Sequence, residues 1–298
     1  MTILITGSEG YIGSSLLKYY LEKEDNSIVG YDIVAQRNFS PAYSYYQKKD
    51  ISIEELIKKH KPEKIFNCAG NPNIQLSFTE PFQDFISNAG FVSELLTSVV
   101  HCNYNPKIIM LSSAAVYGNP CHLPIKEDME LKPISPYGYN KMLSEEICKM
   151  FINLYNLDIS IARIFSVFGI GFKRQVVWDL INKSIDGQLS VYGTGKESRD
   201  FIYIDDLINC LDILSETKGG DVVYNVASGQ ETTIEYITEI INKCSGKTVK
   251  WQFSLEKRKG DPNNWCADVS RIKKLGYIQG DSFEKRIAQI YDWVVSLR

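Results

Sequence analysis

The sequence predicts an α/β fold in which helices cover both faces of a doubly wound parallel sheet. In its first half, short apolar segments of strand length alternate with longer segments of helical periodicity. Short apolar strands spaced by helices are typical of a parallel sheet buried on both faces. A glycine-rich turn joins the first strand to the first helix, and right-handed crossovers then wind the sheet in both directions.

The predicted elements follow one another with short connections. The expected strands are Ile3–Thr6, Ser27–Asp32, Tyr45–Asp50, Lys64–Cys68, Lys107–Ser112 and Asp158–Ile164. The expected helices between them are Tyr11–Glu22, Ser52–His60, Pro81–Cys102 and Ser135–Asn156. The third strand has the weakest pattern of the six.

After Phe168 the alternation breaks and glycines become frequent. A helix at Asp205–Ser215 and a strand at Val222–Val226 are expected to return to the main sheet. We therefore expect residues 1–168, with 198–228, to form a Rossmann-like cofactor-binding domain. Residues 169–197 and 229–298 would form a smaller mixed α/β lobe that binds substrate.

Composition excludes several classes of function. The chain has 298 residues, a formal net charge of -3 and no basic run, so we expect no nucleic-acid partner. The seven cysteines are scattered singly, without the C-x-x-C spacing of a metal or redox site, as is typical of the cytoplasm. No apolar stretch approaches the ~20 residues of a membrane helix, and no signal peptide is expected.

A dinucleotide site is predicted where the first strand meets the first helix. In Thr6–Gly13 the glycines fall at Gly7, Gly10 and Gly13. Glycine there permits a tight turn, close approach of the backbone to a pyrophosphate, and packing of the helix on the strand. Asp32 ends the second strand, where a carboxylate binds the ribose hydroxyls and repels a 2′-phosphate, so NAD is favoured over NADP.

A catalytic trio is predicted from three polar residues that follow the fifth strand in the sequence. Ser113 follows the fifth strand, and Tyr137 and Lys141 lie four residues apart at the start of a helix. An ammonium group beside a phenol lowers the phenol's pKa and lets it act as a base near neutral pH. Ser113 would hydrogen-bond the same reacting oxygen.

With these motifs the sequence resembles the extended short-chain dehydrogenase/reductase family, the NAD-dependent epimerase/dehydratase group that acts on nucleotide sugars. The likeness extends to Arg163–Gly169, to Arg199–Asp206 and to Arg258–Pro262. It implies cofactor contacts from Gly7, Gly10, Tyr11, Ile12, Gly13, Asp32, Asp50, Ile51, Cys68, Ala69, Gly70, Tyr137 and Lys141. It implies substrate contacts from Ser113, Ser166, Val191, Tyr192, Arg199, Arg258 and Asp261, with the two arginines on the diphosphate.

Two departures from the family pattern bear on the reaction. Ser166 stands where asparagine is usual, and Ala114 and Ala115 stand where the 4,6-dehydratases carry an Asp-Glu pair. Without that pair, removal of water is disfavoured. The resemblance therefore implies an NAD-dependent 4-epimerase, most often of a UDP-hexose, working through a transient 4-keto sugar.

Two alternatives remain. A nucleotide-sugar 4-ketoreductase or C4 dehydrogenase would use the same trio, and some relatives bind the cofactor as sensors without turnover. The resemblance also implies a homodimer formed by the helices at Pro81–Cys102 and Ser135–Asn156. The apolar residues expected to supply that contact are Phe85, Phe91, Leu95, Leu143, Ile147 and Phe151.

Overall fold

The computed structural model describes residues 1–23, 26–187, 190–246, 250–256 and 260–298. Its strands, in chain order, are β1 (Thr2–Thr6), β2 (Ser27–Asp32), β3 (Tyr43–Gln47), β4 (Lys64–Asn67), β5 (Lys107–Ser113), β6 (Ile159–Ile164), β7 (Ser166–Phe168), β8 (Ser190–Val191), β9 (Ser198–Tyr203), β10 (Val223–Val226), β11 (Glu231–Thr233) and β12 (Gln252–Phe253). Its α-helices are α1 (Tyr11–Leu21), α2 (Ile53–His60), α3 (Ile74–Thr79), α4 (Pro81–Phe85), α5 (Phe91–His101), α6 (Pro136–Tyr155), α7 (Gln175–Asp186), α8 (Ile204–Glu216), α9 (Ile234–Ser245), α10 (Ser270–Lys274) and α11 (Phe283–Ser296).

The main sheet has seven parallel strands in the order β3-β2-β1-β4-β5-β6-β10. The chain runs outward from β1 in one direction and from β4 in the other, so the strand order reverses between these two neighbours. In such sheets ligands bind at the carboxyl ends of the strands beside this reversal. The Rossmann-like fold predicted from the sequence is confirmed.

Two apolar cores lie on the two faces of this sheet. One contains side chains of α1, α8 and the C-terminal elements, and the other contains side chains of α2, α5 and α6. Strand β10 pairs with β6, as the sequence predicted for Val222–Val226. The remaining strands form a three-stranded sheet (β11-β9-β7) and a two-stranded sheet (β12-β8) beside the carboxyl edge.

The third strand lies earlier in the chain than predicted, at Tyr43–Gln47 instead of Tyr45–Asp50. Tyr43 opens the strand, buries its ring in the core and pairs with Ile28 of β2. Asp50 lies in the turn beyond the strand, where its N–H donates to the Gln47 carbonyl. Side-chain burial at the sheet edge therefore set the register, and the sequence pattern did not reveal it.

The helix predicted at Pro81–Cys102 is helical along its length but not regular. A π-helical segment, Ile86–Gly90, separates α4 from α5. The helix predicted at Ser135–Asn156 is confirmed as α6, with Ser135 as its N-cap and Asn156 in the left-handed conformation at its end. Among the described residues, no helix has the length and hydrophobicity needed to cross a membrane.

Candidate active site

The glycine turn after β1 is packed too tightly for any side chain at two of its positions. A Cβ on Gly13 would lie 2.1 Å from the Gly7 carbonyl oxygen, and one on Gly7 would lie 2.8 Å from the backbone of Cys68 and Ala69. Gly7 also has a φ of +67°, which favours glycine. The turn opens α1 beside the strand reversal, and the N-terminus of a helix at such a turn fits the pyrophosphate of a dinucleotide.

Asp32 lies at the end of β2, next to this turn. Its carboxylate accepts hydrogen bonds from the backbone N–H groups of Glu9 (2.9 Å), Ile33 (2.7 Å) and Val34 (3.3 Å). Ile33 is exposed, so the carboxylate stands at the edge of an open region. The position matches that of an acid that binds ribose hydroxyls.

Glu9 is a feature of this site that the sequence reasoning missed. It is only 6 % exposed, and its carboxylate accepts hydrogen bonds from the backbone of Arg37 (2.7 Å), from Asn38 and from the Tyr43 hydroxyl (2.8 Å). It therefore fastens the loop after β2 to the glycine turn. The sequence does place this acid within the glycine turn. A carboxylate buried there needs several hydrogen-bond donors, which the loop after β2 supplies.

The predicted trio converges at the carboxyl end of β5. Ser113 ends the strand, where its Oγ accepts a hydrogen bond from the Ala115 N–H (3.2 Å). Tyr137 hydrogen-bonds Ser113, and the Lys141 ammonium lies 5.8 Å from the Tyr137 ring centroid and donates to the Leu111 carbonyl (3.1 Å). A serine, a phenol and an ammonium thus share one buried corner.

Burial dominates the electrostatics of this corner. It raises the pKa of Tyr137 to about 12, although the hydrogen bond from Ser113 lowers that pKa. Burial lowers the pKa of Lys141 to about 8, although Asp84 raises it. The expected lowering of the Tyr137 pKa is therefore not what this structure shows, because desolvation of the buried phenol raises it.

The N-terminus of α6 is held by two serines. Ser135 caps the Gly138 N–H (3.1 Å), and Ser77 of α3 accepts a hydrogen bond from the Tyr137 N–H (3.2 Å). Farther along the helix, Glu145 forms a buried ion pair with Arg163 of β6 (2.7 Å). The sequence reasoning named neither Ser77 nor Glu145, because their partners lie far away in the chain.

The cofactor-side segment after β4 lies between the turn and the trio. Cys68 and Ala69 contact Gly7, and a Cβ on Gly70 would lie 3.4 Å from the Lys141 Nζ. Asn88 lies on the other side of Gly70, 2.7 Å from the same Cβ position. The segment predicted to contact the cofactor is therefore next to both predicted sites.

The other cofactor-side residues surround this centre. Tyr11 stacks on Phe172 (4.5 Å between centroids) and donates to the Ile170 carbonyl (3.0 Å). Ile12 follows it in α1 and packs on the core. Asp50 is exposed after β3, and the Ile51 carbonyl accepts from Tyr31 (3.2 Å), so both lie beyond the carboxyl end of the sheet edge.

Arg199 of β9 is the central cation on the substrate side. It donates to the carbonyls of Ser198 (2.8 Å) and Asn263 (3.2 Å), lies 5.6 Å from the Trp265 ring and interacts electrostatically with Asp261. The Trp265 indole donates to the Gly118 carbonyl (2.9 Å). Because Gly118 follows the Ser113 segment, these contacts connect Arg199 to the trio.

The other residues predicted to contact the substrate are Ser166, Val191, Tyr192 and Arg258. Ser166 opens β7 and pairs with Phe201 of β9. Val191 is buried in the core and Tyr192 is half exposed after it. Arg258 lies outside the described residues, so its predicted role stays a prediction.

Comparison with known proteins agrees with this arrangement. The model of the NAD-dependent epimerase/dehydratase family matches residues 3–227. UDP-glucose 4-epimerase of Azospirillum brasilense is 27% identical, over 99% of this chain and 92% of that protein.

Solved structures give the same result at the level of the fold. UDP-N-acetylglucosamine 4-epimerase from Methanobrevibacter ruminantium, in complex with UDP-N-acetylmuramic acid, superimposes with a TM-score of 0.90 at 26% identity, over 100% of this chain and 99% of that one. UDP-glucuronic acid 4-epimerase from Bacillus cereus, in complex with UDP-glucuronic acid and NAD, gives a TM-score of 0.90 at 26% identity over 100% of both chains. With the family match covering most of its length, the chain belongs to the NAD-dependent epimerase/dehydratase family.

Proposed function

We propose that this chain is an NAD-dependent 4-epimerase of a UDP-hexose. The observation that carries the proposal is the convergence of Ser113, Tyr137 and Lys141 beside the glycine turn, with two buried alanines at the next positions. The trio supports oxidation and reduction at one carbon. Ala114 and Ala115 carry no acid or base that could divert a keto sugar into loss of water.

The residues around the turn fit NAD as the cofactor. Gly7, Gly10 and Gly13 would hold its pyrophosphate and Asp32 its adenosine ribose, since the turn has no room for a Cβ and the acid stands at the adjoining strand end. Bound there, NAD supplies a hydride acceptor that returns the hydride within the same cycle. The carboxylate of Asp32 disfavours the additional phosphate of NADP.

The chain's own groups handle the proton and the diphosphate. Tyr137 would take the proton from the sugar's C4 hydroxyl at its Oη and later return it, while Ser113 hydrogen-bonds the same oxygen. Lys141 would stabilise the phenolate form of Tyr137 that accepts this proton. Arg199 would hold the diphosphate, so that the 4-keto ring can turn and present its other face.

The test is to incubate the protein with UDP-glucose, UDP-galactose and their N-acetyl forms, without reductant, and to follow the anomeric protons by NMR. We expect one C4 pair to interconvert, and Tyr137→Phe, which leaves the cofactor site intact, is the matched control. No interconversion, together with NAD(P)H oxidation on a 4-keto nucleotide sugar, would assign the chain to the ketoreductases instead.

We propose that the substrate lobe comprises residues 169–197 and 229–298, and that the protein is cytoplasmic. The lobe contains strands of both small sheets beside the carboxyl edge of the main sheet, with Val191, Tyr192 and Asp261. All seven cysteines are free thiols, which fits a reducing compartment.

We also propose a homodimer that pairs α4, α5 and α6 with the same helices of a second copy. Three residues expected in that contact, Phe91, Leu95 and Phe151, are instead buried in the core of the chain itself. The outward apolar residues of these helices are Phe82, Phe85, Ile86, Leu143, Met150 and Leu154. Phe82 and Leu154 are the most exposed of these residues, at 75% and 70%. Light scattering should therefore report a dimer for the unmodified protein and a monomer for Leu154→Glu. A monomeric unmodified protein at micromolar concentration would contradict the proposal.

A further inference from the structure

Asp84 is a buried carboxylate close to the trio. It lies in α4 and is 2 % exposed. Its Oδ2 accepts a hydrogen bond from the Asn140 side chain (2.7 Å), and its Oδ1 accepts one from the Asn88 side chain (3.1 Å). Both donors are neutral amides, so these bonds do not cancel the charge of a desolvated carboxylate.

The cation that interacts with Asp84 is Lys141. Asn140, which holds Asp84, is the residue before Lys141 on α6, so the carboxylate is held against the turn of α6 that carries Lys141. The π-helical segment after α4 contributes as well, because Asn88 within it binds both the carboxylate and the backbone carbonyl of Asp84 (3.0 Å).

Other titratable groups also face Lys141. They are Cys68 after β4, and Tyr137, Glu145 and Cys148 on α6 itself. Burial raises the pKa of both thiols, so neither carries charge near neutral pH. Glu145 is bound by Arg163. Asp84 is therefore the carboxylate left to balance the Lys141 ammonium.

We propose that Asp84, fastened through Asn140, is a positioning residue that keeps Lys141 protonated beside Tyr137 during turnover. The inference deepens the proposed function and rests on it for its kinetic consequence. Asp84 touches neither the reacting hydroxyl nor the cofactor turn, and it acts through the charge of its neighbour.

The proposal has a consequence that a purely structural role lacks. Asp84 raises the pKa of both Lys141 and Tyr137. Loss of the Lys141 proton, with its pKa of about 8, sets the alkaline limb of the pH profile of kcat/KM. Removing the carboxylate should therefore move that limb to lower pH, by about one unit.

The experiment compares Asp84→Asn with Glu80→Gln in the full-length protein with NAD. Asn keeps the shape of Asp. The Oδ1 of Asn88 is a buried atom with no hydrogen-bond partner in the described structure, and rotation of the Asn88 amide would let this oxygen accept a hydrogen bond from the new NH₂ group. Glu80 is an exposed acid four residues earlier and serves as the matched control. We expect the alkaline limb to shift to lower pH in Asp84→Asn and to stay unmoved in Glu80→Gln.

A lower kcat with the alkaline limb unmoved would overturn the proposal and leave Asp84 a structural role. If Asp84→Asn does not fold, Asp84→Ser removes the same charge and should give the same shift.

A second measurement needs no turnover. The ¹³Cε resonance of Lys141, assigned by its absence in Lys141→Arg, is titrated in the purified protein. We expect its midpoint to fall by about one pH unit in Asp84→Asn. An unchanged midpoint refutes the proposal, whereas a shifted midpoint in a protein that converts no nucleotide sugar refutes only the proposed function.

Discussion

The substitution Glu145→Gln tests whether the catalytic helix is fastened by its buried ion pair. The Glu145 and Arg163 side chains are 0% and 3% exposed. Arg163 makes three hydrogen bonds to the carboxylate, of 2.9, 3.2 and 2.7 Å, and its other donors go to the Tyr117 hydroxyl and the Glu127 carbonyl. Glutamine removes the negative charge and turns an N–H group toward the guanidinium, which leaves a buried cation without compensation.

Breaking one partner of such a pair costs about 3–5 kcal/mol, so the ratio of folded to unfolded protein should fall at least about a hundredfold. Urea denaturation followed by circular dichroism measures this loss. Glu146→Gln, at the next residue, where the side chain is 59% exposed and pairs with Lys149, should change the free energy of unfolding by under about 1 kcal/mol. A loss below about 1 kcal/mol in Glu145→Gln would show that the pair does not hold α6 to β6.

Two further substitutions test the cofactor site and the base. Asp32→Ala should weaken NAD binding, measured by calorimetry, by about tenfold or more, and should reduce the preference over NADP, because hydrogen bonds to a charged acceptor are lost with the charge itself. Unchanged affinities for both nucleotides would contradict the ribose assignment. Tyr137→Phe should lower kcat by about 100-fold or more while NAD stays bound, since one proton-transfer group is removed. A variant within a few-fold of the unmodified enzyme would exclude Tyr137 as the base.

The sequence predicted most reliably what depends on neighbouring residues. The glycine turn, Asp32 at the end of β2 and the Tyr137–Lys141 spacing are local features, and the structure places all of them at one edge of the sheet. The turn and Asp32 adjoin strands whose apolar runs are plain in the sequence. Parallel strands bring their carboxyl ends together, so residues distant in the chain become neighbours without any further signal.

What the sequence did not predict depends on burial and on partners distant in the chain. Glu9 and Asp84 are acids that each accept a hydrogen bond from a residue far along the chain, Arg37 and Asn140 respectively. The sequence does not distinguish such a buried acid from an exposed one. The π-helical segment at Ile86–Gly90 interrupts a pattern that is otherwise regular. The raised pKa of Tyr137 was not predicted for the same reason, since the extent of desolvation is a property of the packed molecule.

Helix α3 connects the substrate side to the catalytic base, and Gly260→Ala tests that connection. Gly260 has a φ of +85°, and a Cβ there would lie 3.0 Å from the side chains of Ile74 and Phe78 on α3. The new methyl group must therefore push on the helix whose Ser77 holds the Tyr137 N–H. Because the strained backbone also lies next to Asp261, we expect KM to rise and kcat to fall together, with kcat/KM reduced about tenfold. Gly246→Ala introduces a similar strain at a φ of +64° with nothing within 4 Å, and it should leave kcat/KM unchanged. If Gly260→Ala raised KM alone, the loop would bind substrate without reaching the base, and the coupling through α3 would be disproved.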